Sequence, residues 1–424
     1  SGNVTSTSYY TGGICGCAYS TTNNVSNFTR CTNSGTISSS SYGVGGIIGY
    51  AYGGSTYKTI VFGCSNTGSV SSTSYYLGGV AGYAGYCDMD ECSNTGTVSS
   101  SSYNVGGVVG YLYYSTLRNS YNRGAVSTSC SSTSTSYGVG GVAGYVYGSS
   151  STYCYVDNCY NTGTVSASST TSFCVGGVVG RNYYGYIRNC YTGNTITINS
   201  SNTTYSGNVC GYNYTGGYVQ YCHFRSGMIS YGTTTRVCGT ATNTPTYSYQ
   251  FTHSSESNAT CTLATAINSS TVLLSALNYW RTSVSGNAGA YVEWAADVSA
   301  WPNKGMPVLK KCEEANLSYS TPNPSITYGS QSTYTNNSLT YASGVTGIEY
   351  SIESQDPSGT ATINTSTGQL TSSKVGTVTV KATLSGNDTY CDDEATYTLT
   401  VNCPTISTPT ATASSVVGCD GSAT

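Results

Sequence analysis

The sequence predicts an all-β protein: a parallel β-helix (solenoid) of about seven to eight coils, then a Trp-containing cap, then a β-sandwich. Three observations predict it. A Gly-Gly-hydrophobic-hydrophobic-Gly-Tyr block recurs through the first half, and a Cys-x-Asn-x-Gly block follows most copies. Past Gly239 the periodicity stops, and from about residue 316 to 402 short alternating strands follow.

The first block begins at Gly12, where Cys17 replaces the Tyr, and again at Gly45, Gly78, Gly106, Gly140 and Gly176. A degraded copy starts at Gly207, and the steps are 33, 33, 28, 34, 36 and 31 residues. The second block is clearest at Cys64 to Val70, Cys92 to Val98 and Cys159 to Val165. Each unit reads as two or three short strands. Asn-x-Gly supplies a turn, since both residues accept positive φ at little cost. Gly-Gly marks a close approach to the neighbouring coil. One unit cannot bury its apolar side, whereas stacked units place like above like at about 4.8 Å.

The stacking predicts columns. Ile47, Val80, Val108, Val142 and Val178 form an inward column, and Asn33, Asn66, Asn94, Asn122 and Asn161 a turn column. A tyrosine ladder runs through Tyr50, Tyr83, Tyr111, Tyr145 and Tyr212, broken by Arg181. Another runs through Tyr42, Tyr75, Tyr103 and Tyr137 to Phe173. Cys31, Cys64, Cys92, Cys159, Cys190 and Cys222 occupy one column, with Ser120 substituting once. Cys15, Cys210 and Cys238 share another with Ile48, Val109 and Val179. These cysteines read as a packing ladder, with coil-to-coil disulfides or a metal site as alternatives. Only His223 and His253 are present as histidine partners for a metal.

Composition narrows the function. Of 424 residues only 7% are charged, against about 25% in ordinary domains, while Gly (52) and Tyr (43) are abundant. A net charge of −3 with no basic arm argues against nucleic acid as a partner. No apolar run is long enough for a membrane-spanning helix. Nineteen cysteines point to an oxidising, extracellular compartment. The start at Ser1-Gly2-Asn3, without Met, reads as mature or partial material.

The units Gly45 to Tyr50 and Gly106 to Tyr111, each followed by an Asn-x-Gly turn, resemble GLUG-motif repeats. The resemblance covers about residues 1–310. It implies a bacterial surface or secreted adhesin-like protein and carries no catalytic residues.

Four segments follow: the solenoid at 1–245, a cap or transition segment at 246–312, a sandwich at 313–402 and a linker or donated strand at 403–424. Apolar spacing from Leu263 to Leu277 predicts one short helix. Trp280, Trp294 and Trp301 assign the second segment to covering the open end of the solenoid. In the third, Ala361 to Asn364, Gly368 to Thr371 and Val375 to Thr377 resemble bacterial Ig-like domains of the second group, which serve as stalks and spacers. In that Ig-like topology Cys312 and Cys391 share a pole, which pairs them as a disulfide. Cys403 lies a strand of roughly 23 Å beyond Cys391, too far to bridge to it within one domain.

No catalytic residues, metal ligands or cofactors are expected. The solenoid's acids, Asp88, Asp90, Glu91 and Asp157, show no recurring pair that suggests a cleft. The run Asp88 to Glu91 reads as a solvated loop tip before it reads as a Ca2+ site. Ice binding by Thr36, Thr97, Thr164 and Thr195 is weakened by Ser69 and Ala125 in the same column. Sequons fall at Asn3, Asn24, Asn27, Asn199, Asn202, Asn213, Asn258, Asn268, Asn316, Asn336, Asn364 and Asn387, which makes glycosylation an expectation.

The leading expectation is an extracellular structural or adhesive protein of the bacterial cell surface. Ser1 to Thr5 aligns with Thr95 to Ser99, so the chain begins inside a repeat and leaves a coil edge uncapped. Such an edge invites self-association, with the C-terminal tail or a neighbour's cap as donor, into a head-to-tail filament. The alternative is a glycan-binding module that uses Tyr113, Tyr114, Tyr183 and Tyr184 as sugar platforms.

Overall fold

The computed structural model describes residues 2–404 apart from 23, 132–133, 169–172, 200–202, 226, 231–235, 253–261, 268–269, 298–302, 304–305, 311–314, 386–389 and 391–392. It divides into two compact units, Ser1–Lys310 and Lys311–Thr424.

The first unit is a parallel β-solenoid of about seven turns. Each coil crosses five sheets, not the two or three strands expected. A representative coil contains Ile37–Ser39, Val44–Gly45, Ile48–Tyr52, Thr59–Phe62 and Ser65–Asn66. Two of the five strands are only two residues long, too short to leave a periodic signal. We number these positions as the first to fifth sheets in chain order.

Two apolar files fill the interior. Ile47, Val80, Val108, Val142 and Val178 are fully buried, as the inward column predicts. Ile37, Val70, Val98, Val126, Val165 and Ile196 line the inner side of the first sheet. The paired glycines are explained by the fifth sheet. A Cβ on Gly107 would lie 2.1 Å from the Gly141 carbonyl and 2.3 Å from the Asn122 side chain. The second glycine of each pair thus seats the asparagine column. At the corner before the fifth sheet Arg30, Gly63, Glu91, Asn119, Asn158, Asn189 and Tyr221 all adopt positive φ. The chain turns that corner with a left-handed residue in every coil, and asparagine holds it three times.

Residues 246–310 depart from the expectation. Tyr249–Thr252 continues the fifth sheet in parallel, then Thr262–Ile267 and Ser270–Val272 add antiparallel strands. The helix expected from Leu263 is therefore shorter: α1 covers Leu273–Tyr279, followed by a π-helical turn at Trp280–Val284. β-Branched residues (Thr262, Thr265, Ile267) explain why the first part extends as a strand. The described residues from α1 to Leu309 lie against the side of the solenoid. Leu273, Leu277, Trp294 and Met306 pack with Tyr160, Tyr191 and Phe251. Trp301 lies outside the described residues.

The second unit has a four-stranded sheet ordered Ser325–Thr327, Asp393–Asn402, Gly376–Leu384, Ile348–Asp356. A three-stranded sheet is ordered Thr333–Tyr334, Leu370–Ser372, Ala361–Ile363. Leu370 and Ala361 of the second sheet join Val378, Val380, Leu399 and Val401 of the first in one core. Cys312 and Cys391 lie outside the described residues, so their expected bridge does too. Cys403 is disulfide-bonded, and the other described cysteines are thiols.

Candidate functional site

The third sheet sets the tyrosine ladder in register: Cys17, Tyr50, Tyr83, Tyr111, Tyr145, Arg181 and Tyr212 stand opposite one another in turn. Tyr50 and Tyr83 stack at 4.4 Å and Tyr83 and Tyr111 at 5.3 Å, whereas Tyr111 and Tyr145 meet edge to face at 5.1 Å. Arg181 keeps the contact on one side of the ladder, and its other ring neighbour is Tyr214 in place of Tyr212. Its guanidinium lies over the Tyr145 ring at 4.8 Å and donates to the Tyr145 hydroxyl at 2.8 Å. The neighbouring file runs Tyr42, Tyr75, Tyr103, Tyr137, with the first two gaps at 4.8 and 5.3 Å.

A further file went unread in the sequence. Tyr52, Gly85, Tyr113, Tyr147 and Tyr183 are in register two residues past the ladder. Tyr113 stacks on Tyr147 at 5.6 Å and Tyr147 meets Tyr183 at 5.0 Å. Tyr114 packs edge-on against Tyr113 and stacks on Tyr86, and Tyr184 packs edge-on against Tyr183. Tyr113, Tyr114 and Tyr183 each stack on another tyrosine (Tyr147, Tyr86 and Tyr214), whereas Tyr184 makes edge-to-face contacts.

The asparagine column is a continuous hydrogen-bonded ladder. Asn33, Asn66, Asn94 and Asn122 each donate Nδ2 to the Oδ1 of the next, ending on Asn161, at 2.7–2.8 Å. Each amide also donates to the carbonyl two residues on. The cysteine column stands one position before the fifth sheet. Cys64, Cys92, Cys159, Cys190 and Cys222 are fully buried, and Cys31 is half-buried. The thiols donate to carbonyls of their own and the adjacent coil, as Cys92 does to Asp90 and Val61 at 3.4 Å. Ser120 fills the same role, donating to Arg118 at 2.7 Å and accepting from the Cys92 amide at 2.9 Å. Burial pushes the Cys64 thiol up to about 12, which keeps it protonated and unreactive. Cys15, Ile48, Ala81, Val109, Ala143, Val179, Cys210 and Cys238 form the second cysteine-bearing column, as expected.

The charged residues form a pattern that spacing alone concealed. Asp90, Arg118, Asp157 and Arg188 occupy successive coils in register on the fourth sheet, alternating in sign. Arg118 pairs with Asp90 at 2.7 Å, and Arg188 grips both oxygens of the buried Asp157 at 2.8 and 2.5 Å. The unequal steps between coils hid this file. Asp88 pairs with Lys58 at 2.8 Å. Asp88, Asp90 and Asp157 thus each have a cation, and no group of three metal-ligating side chains occurs among the described residues.

This file is one half of a joint. Tyr291 donates to Asp157 at 3.0 Å, and Trp294 Nε1 donates to the Asn158 amide oxygen at 2.6 Å. Asn119, Asn158 and Asn189 donate to the carbonyls of Ala290, Val292 and Leu277. Asn158 and Asn189 also donate to Asn119 and Asn158 in turn, a second asparagine ladder.

Two sequons are corrected. Asn213 is fully buried, its amide donating to Gly217 and Asn243 and accepting from Asn182. Asn336 is buried with its nitrogen on the Thr321 carbonyl. Neither amide is open to a glycan. Asn3, Asn24, Asn27, Asn316 and Asn364 are exposed, and Asn199 is half-buried. Asn202, Asn258, Asn268 and Asn387 lie outside the described residues.

The end face of the first coil is the remaining feature. Val4–Ser6, Thr11–Gly12, Cys15–Tyr19, Asn27–Thr29 and Thr32–Asn33 are the edge strands of all five sheets. Tyr9 (65%), Ile14 (53%), Tyr19 (56%) and Val25 (45%) are exposed on this coil.

A family model for the GLUG motif matches residues 73–99, 101–127 and 171–197. Each match spans one pass through the five sheets. No curated protein and no solved structure matches the chain.

Proposed function

We propose that this chain is an extracellular structural or adhesive protein of the bacterial cell surface, and not an enzyme. Its GLUG repeats build a β-helix of the kind that surface and structural repeat proteins use. In this reading the second unit is an Ig-like stalk, and residues 246–310 act as a brace that both extends the fifth sheet and clamps its side. The two-sheet core of the second unit and the joint at Asn158 support those assignments.

The observation that carries the proposal is the stacking itself: the coils repeat in register through five sheets, and their polar and charged files close on one another, the asparagine ladder by hydrogen bonds from coil to coil and the fourth-sheet file by ion pairs. Ion pairing at Asp88, Asp90 and Asp157 supports a structural role for the carboxylates over a catalytic one.

Surface placement is tested by treating intact source cells with a protease and following the chain with an antibody. Loss of the full-length band before a cytosolic marker is cut is the expected result. Protection until the cells are lysed would sink the reading.

A further inference from the structure

The second unit contains an open cavity of about 170 Å3. Its wall is aromatic, with Tyr319, Tyr341, Tyr350 and Tyr397, and Asn337 and Thr367 add polar groups. None of the residues around it is charged. At Gly368 the backbone has φ of +69°, and a Cβ there would lie 2.9 Å from the Tyr350 ring, so the bare glycine lets that ring settle on the chain.

Two hydroxyls single the cavity out. Tyr319 (7% exposed) and Tyr397 (2%) meet edge to face at 4.8 Å, and neither hydroxyl has a hydrogen-bond partner. Buried hydroxyls ordinarily have one. Elsewhere in the same unit Tyr390 donates to Ser343 at 2.6 Å and Tyr328 to Ser373 at 3.1 Å. The unpaired phenols therefore gather where the cavity is. Burial raises the pKa of both, which keeps them neutral donors.

We propose that this cavity binds one neutral pyranose ring of a glycan. Aromatic walls pack against the C–H faces of a sugar, and phenol and amide groups match its hydroxyls. The absence of charge disfavours an acidic sugar or a cationic ligand. A volume below the roughly 300 Å3 of a drug-sized cleft leaves room for a single ring. The site is independent of the solenoid's assembly and of the tyrosines on its third sheet.

Saturation-transfer NMR on the full chain tests this, with methyl glycosides of glucose, galactose, mannose and N-acetylglucosamine as probes. Glucuronate and choline serve as charged competitors. The expected result is saturable transfer to at least one neutral glycoside. Tyr341→Ala should weaken binding about tenfold. Tyr319→Phe and Tyr397→Phe, which remove only a hydroxyl and retain the ring, should each weaken it about three- to tenfold at unchanged Tm. Three results would overturn the proposal: no saturable transfer from any neutral glycoside, preference for glucuronate or choline, or wild-type affinity in both Phe variants. The Phe variants decide the matter even where Tyr341→Ala fails to fold.

Discussion

Asn94 donates to Asn122 and Gly96 and accepts from Asn66, all inside the solenoid. Its removal leaves neighbouring amide groups without a partner in a buried setting, which costs about 1–3 kcal/mol per group. Asn94→Ala should therefore lower unfolding free energy by about 2–4 kcal/mol in urea titration. Asn161→Thr should cost less, because the chain itself places Thr192 in that column. Equal losses in the two variants would show that the ladder is incidental. His223 gives a pH signature. It is fully buried between Tyr191 and Tyr249 in register, and burial lowers its pKa to about 4 against a smaller opposing pull from the Tyr249 backbone. Because the folded value lies below the unfolded 6.5, the unfolded chain takes up the proton first as pH falls. Stability present above pH 6.5 is lost progressively down to pH 4, by about 3 kcal/mol at most. Buried Asp90 and Asp157 also titrate on acidification, so the comparison is with His223→Phe, which keeps their contribution. The wild type should lose more stability than the variant between those pH values, and parallel curves would contradict the assignment.

At the scale of elements, legibility follows repetition. The Gly-Gly, Asn-x-Gly and Tyr positions repeat in most coils, with Cys17, Arg181, Thr192 and Asn208 as exceptions, so their columns are legible in the sequence and the strand register agrees with them. The two-residue strands at Val44–Gly45 and Ser65–Asn66 carry no pattern of their own, and the five-sheet coil was under-read. The charge file from Asp90 to Arg188 was missed for a related reason. Its members are separated by 28, 39 and 31 residues, and only the loop insertions bring them level. The brace at 273–309 was legible as a change of composition but not as a lateral clamp, since its partners lie far back in the chain. Asn158 is the hinge of that contact, touching Asn119, Asn189, Val292 and Trp294. Asn158→Ala should speed amide hydrogen exchange across 273–309 while the strands before residue 100 keep their protection. Unchanged exchange in the brace would show that apolar packing alone holds it.

For the whole first unit, the two ends of the solenoid differ. At one end the first coil presents five strand edges, and at the other the fifth sheet continues into antiparallel strands that break the repeat. The sequon correction belongs to the same scale. A sequence motif reads alike on a loop and in a core, and only stacking shows that Asn213 is interior. The central claim, that in-register stacking of the coils carries a structural role, is tested most directly by urea unfolding of the purified full chain beside Gly107→Val, whose Cβ would lie 2.1 Å from the Gly141 carbonyl in the next coil. The account predicts that the variant unfolds at a clearly lower urea concentration with loss of β-sheet circular dichroism. Unfolding at the wild-type midpoint would contradict it.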